Sequence, residues 1–75
     1  MSNRRRALRD RLADYAEFAA SNGTIRRVDM MRIGEISDTQ ASSDMKALIE
    51  DYPQLGIVYD TRQKTYVVTA KRRAS

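Results

Sequence analysis

The chain has 75 residues, 41% hydrophobic and 32% charged, so it can bury one modest core and reads as a single globular domain over residues 1–75, ordered from about 4 to 70. It has no cysteine and no histidine, which excludes disulfides, thiolate nucleophiles, imidazole bases and the common zinc sites. The formal net charge of +4 is unevenly spread: residues 1–11 hold five arginines against Asp10, residues 61–75 hold five cations and no acid, and residues 35–60 hold six acids against Lys46.

From Arg4 to Asn22, the residues Leu8, Leu12, Tyr15, Ala16 and Ala19 fall on one helical stripe, with Phe18 at its edge and Gly23 as the stop. Thr24–Arg26 suits a brief strand. Val28, Met30, Met31 and Ile33 predict a helix of about two turns that ends near Gly34, its methionines filling the core. Ser37 with Gln40 reads as a capping box. The third helix runs over residues 37–52, burying Ala41, Met45, Leu48, Ile49 and Tyr52, until Pro53 stops it. After PQLG, the runs IVYD and KTYVVT flank a polar loop and predict an antiparallel hairpin over residues 57–69, with Tyr59, Tyr66 and Val68 packing it against the third helix. The order is helix, short strand, helix, helix, two-stranded hairpin. That is an α+β winged helix-turn-helix.

The third helix carries the functional signal. Opposite its apolar stripe lie Thr39, Ser43, Lys46 and Glu50, with Gln40 on one flank and Ser42 on the other. Helix-turn-helix proteins insert the start of such a helix into the major groove. Short neutral side chains let the backbone come close. Gln pairs with adenine, Thr meets a thymine methyl, and Ser or Lys reaches guanine acceptors or phosphate. Thr39, Gln40, Ser42, Ser43 and Lys46 are therefore the candidate base contacts. Arg4, Arg5, Arg6, Arg26 and Arg27, with Arg62, Gln63 and Lys64 at the hairpin tip, are the candidate phosphate contacts, joined by the KRR tail. The plainer alternative makes these residues a capped helix, a soluble turn and solvated tails.

The segments GTIRRVDMMRIGEIS, DTQASSDMKAL and IVYDTRQKTYVV resemble the N-terminal winged-helix domain of WYL-domain transcriptional regulators, most closely the branch associated with phage defence. The likeness covers most of residues 8–70. It rests on Gln40, Ala41, Ser42, Asp44 and Met45 in a QAS-x-D-Leu pattern, on the Tyr59–Asp60 step into the wing and on Tyr66 leaving it. The resemblance implies sequence-specific duplex binding as a dimer, usually for repression. Such regulators carry a ligand-sensing domain after the wing, whereas this sequence stops at Ser75, as a small stand-alone regulator or a DNA-binding fragment would. The turn also departs from the pattern, with Gly34 one residue early and Glu35 behind it.

The resulting expectation is a cytoplasmic, non-enzymatic regulator, a repressor or autoregulator, that binds a palindromic double-stranded operator. It needs no cofactor, metal or small-molecule ligand and has no membrane segment. A homodimer is expected through helix one, with Tyr15 and Phe18 at the seam. The alternatives are a winged-helix protein-interaction module, favoured by the acidic middle, and an architectural DNA binder of excisionase type.

Overall fold

The computed structural model describes residues 7–70. Arg4, Arg5, Arg6 and the KRR tail lie outside the described residues. Three helices precede a hairpin: α1 Leu8–Asn22, α2 Arg27–Gly34 and α3 Asp38–Asp51, with β1 Thr24–Ile25 before α2, then β2 Ile57–Asp60 and β3 Thr65–Val68. The three strands form one antiparallel sheet in the order β1-β3-β2. This is an α+β winged-helix layout.

Ala7 is extended, with φ −65° and ψ 152°, so α1 starts at Leu8. Its inward stripe is Leu12, Tyr15, Ala16 and Ala19, while Leu8 stays 42% exposed. Gly23 takes φ 82° and its N–H closes on the Ala19 carbonyl at 2.7 Å. This left-handed cap is cheap only for a residue without a Cβ. α2 buries Met30, but Val28 is 53% exposed and lies outside the core.

Between α2 and α3 the chain turns sharply on Glu35, a non-glycine residue at φ 54°, and the Ile36 N–H reaches back 3.2 Å to the Met31 carbonyl. Gly34, one position earlier, is glycine for a different reason. A Cβ there would stand 2.5 Å from the Tyr15 hydroxyl and 3.1 Å from Arg11 Cδ. The glycine thus serves helix packing, and the turn is left to glutamate.

Ser37 Oγ accepts the Gln40 N–H at 3.1 Å and caps α3. The other half of the expected capping box does not form, because the Gln40 amide donates instead to Asp44. After Tyr52 a single 3-10 turn, Pro53–Leu55, leads to Gly56 and the hairpin. The core is Leu12, Tyr15, Ala16, Ala19, Ile25, Met30, Ala41, Met45, Leu48 and Ile57, drawn from all three helices and the inner side of the sheet. Phe18, Tyr66 and Val68 pack partly buried against it.

Candidate nucleic-acid interface

The orientation of α3 is fixed by a polar cluster within the core. Asp44 is completely buried. Its carboxylate accepts Arg11 Nε at 2.8 Å and Arg11 Nη2 at 3.0 Å, the Tyr15 hydroxyl at 2.7 Å and the Gln40 amide at 2.9 Å. Two residues of α1 thus grip one of α3 by a bidentate, charge-assisted contact. The i+3 step from Ala41 and the i+4 step to Leu48 place Asp44 on the buried stripe, and Arg11 and Tyr15 stand one turn apart facing it. Those spacings were the available signal in the sequence.

Burial works to raise the Asp44 pKa. The hydrogen bonds from Arg11, Tyr15 and Gln40 outweigh it and hold the carboxyl below its ordinary 3.8. The Tyr15 phenol is pushed well above its ordinary 10.0, first by burial and then by its bond to Asp44. A lowered acid pKa stabilises the fold above the unfolded value and loses that contribution as pH falls through the folded one; a raised pKa stabilises it below the unfolded value and loses the contribution as pH rises. The urea midpoint is therefore expected to be flat through neutral pH, to fall below about pH 3.8 and to fall again above about pH 10. An acid limb of equal depth in Asp44→Asn would remove Asp44 as its cause.

Tying Asp44 inward turns the opposite face of α3 outward. Thr39, Gln40, Ser42, Ser43 and Lys46 are all exposed. Among the described residues, Thr39, Ser43 and Lys46 hold no side-chain hydrogen bond or ion pair. Ser42 Oγ accepts Arg27 Nη1 at 3.4 Å, and Arg27 also pairs with Asp38 at 3.3 Å. Gln40 differs from the other four, since its amide nitrogen is held by Asp44 and only its other atoms remain outward.

The hairpin tip is also built locally. Asp60 Oδ1 accepts the N–H groups of Arg62 at 2.9 Å and Gln63 at 3.2 Å, while Oδ2 accepts the Gln63 amide at 3.1 Å. Gln63, expected on phosphate, therefore braces the loop. The Arg62 guanidinium and the Lys64 ammonium have no partner among the described residues, and both residues are exposed. Lys64 closes the loop at φ 53°. At the other side of the wing, Arg26 lies 3.9 Å from Asp29, whose carboxylate also caps the Arg26 N–H at 2.9 Å.

Three expectations need correction. Tyr59 does not pack the hairpin on α3: it is 49% exposed and meets Tyr66 edge to face, with ring centroids 4.9 Å apart. It shares a face of β2 with the buried Ile57 two residues before it, but stands nearer the hairpin tip, where the core no longer covers that face. Tyr15 has no exposed surface to offer a dimer seam, because the core consumes it. The acidic middle is also less acidic at the surface than its composition, since Asp44 is neutralised within the core and Asp38 is paired. Among the described residues no helix is long and apolar enough to cross a membrane. Compared with protein-family models and with curated proteins, the chain matches none.

Proposed function

We propose that the protein is a sequence-specific regulator that binds double-stranded DNA, with α3 in the major groove and the hairpin on the adjoining backbone. The observation that carries this reading is the outward, unengaged set Thr39, Ser43 and Lys46 on a helix whose only mid-helix acid is drawn into the core. Short side chains admit the helix deep into a groove, and Arg26, Arg27, Arg62 and Lys64 flank it on neighbouring elements. The likeness of residues 8–70 to the DNA-binding domain of WYL-domain regulators supports the same reading. Repression follows as operator occupancy that excludes polymerase in the cytoplasm. A second copy on an inverted repeat supplies the specificity that one small domain lacks.

Selection of bound sequences from random duplex DNA at physiological salt tests the reading. An inverted repeat is expected to be enriched. Thr39→Ala and Ser43→Ala are each expected to lose about 1–3 kcal/mol of discrimination with unchanged thermal unfolding. Binding without enrichment would favour an architectural role, and no binding would favour a protein-interaction module.

A further inference from the structure

Between the start of α2 and the tip end of the wing lies an open cleft of about 250 Å³, lined by Arg26, Arg27, Val28, Tyr59, Lys64, Thr65 and Tyr66. Two features of it are not required by the fold. Val28 is 53% exposed and Tyr59 is 49% exposed, so an apolar side chain and an aromatic ring meet solvent where neither supports the core. Around them stand three exposed cations. The Tyr59 ring is held in place by its edge-to-face contact with Tyr66, so it forms a fixed wall.

Phosphate binding alone does not require apolar surface, and an apolar protein contact does not require three cations. A sugar–phosphate strand presents both, one anion and one apolar ring edge per nucleotide. We propose that this cleft seats one nucleotide unit of a duplex backbone, its phosphate among Arg26, Arg27 and Lys64 and its deoxyribose against Val28 and Tyr59. The proposal rests on the duplex-binding reading above. The cleft adjoins the start of α3 through the bonds of Arg27 to Ser42 and Asp38, so a strand leaving the groove read by α3 passes over it. The acids nearby do not block a phosphate. Asp29 is buried behind Arg26 and Arg32, Asp60 is occupied by the loop N–H groups, and the exposed Arg27–Asp38 pair is of the kind that opens at small cost.

The mixed chemistry gives a distinctive signature. Arg26→Ala and Lys64→Ala should each flatten the slope of log affinity against log salt by up to about 0.9. Tyr59→Ala should weaken duplex binding about tenfold at every salt concentration and leave that slope unchanged, because the contact releases no counterion. Tyr59→Phe should bind as wild type does. Specific and random duplexes should be affected equally.

The test is a salt titration of the full chain with these variants, the specific duplex, a random duplex and a single strand, alongside thermal unfolding. Parallel lines displaced downward for Tyr59→Ala, at unchanged melting temperature, support the seat. Wild-type affinity in Tyr59→Ala, a loss explained by a lowered melting temperature, or a loss confined to single strands each overturns it. The α3 reading fails separately: if Thr39→Ala and Ser43→Ala change nothing while Tyr59→Ala still weakens duplex, the seat stands and sequence recognition by α3 does not. If wild type binds no duplex, both fall.

Discussion

Asp44→Ala is expected to cost about 3–5 kcal/mol of folding stability, because it removes the buried carboxylate that holds the Arg11 guanidinium, whose side chain is 14% exposed, by two hydrogen bonds. The Tyr15 hydroxyl, fully buried, and the Gln40 amide lose the same acceptor. A 75-residue domain has roughly 4–11 kcal/mol in total at the usual stability per residue, so much of the population should be unfolded near body temperature. Urea titration followed by circular dichroism gives the value directly. Arg11→Met and Tyr15→Phe with Asp44→Leu should recover most of the loss, since well-packed apolar side chains replace the buried ionic group at little cost and no buried hydroxyl is left without an acceptor. A change below about 1 kcal/mol in Asp44→Ala would mean that the carboxylate does not hold α1 to α3.

Gly34→Ala should also destabilise, by roughly 1–2 kcal/mol, although alanine is the better helix former by about 1 kcal/mol. The added methyl carbon would lie 2.5 Å from a Tyr15 hydroxyl that cannot move aside without giving up its 2.7 Å bond to Asp44. In a Tyr15→Phe background the same substitution should be tolerated better, and the coupling between the two changes is the quantity to measure. Equal losses in both backgrounds would place the obstruction elsewhere, at Arg11 Cδ or in the turn.

The fold was legible because helix and strand periods, a capping serine, a glycine stop and a proline stop all agreed along the chain. The candidate interface was legible in part. Thr39, Ser43 and Lys46 lie outward as 100° spacing requires, since a face opposite a buried stripe has nowhere else to go. Gln40 was only half read: its position predicts exposure, but its amide is captured by Asp44 one turn further along α3, a carboxylate that Arg11 and Tyr15 of α1 draw inward only once the helices pack. The same holds for Asp44, whose charge suggested a surface acid while its spacing from Ala41 and Leu48 put it inside. Tyr59 was misassigned because its two-residue spacing from Ile57 gives the face it shares but not how far along the wing the core reaches. Glu35 could not be foreseen, since glycine at the adjacent position is the usual signal for a left-handed turn.

The order of the strands bears on how the protein is made. β3, the last of the described elements, lies in the middle of the sheet, pairing Thr24 and Ile25 of β1 on one side and all of β2 on the other. As the polypeptide emerges from the ribosome, the three helices can assemble around Leu12, Met30 and Leu48 while both earlier strands still wait for a neighbour. The wing and its cleft then appear together in one late step, once residues 65–68 have cleared the exit tunnel. Until that moment a nascent chain presents the outward face of α3 without the hairpin beside it, so the duplex binding proposed above would gain its flanking contacts only after β3 has paired.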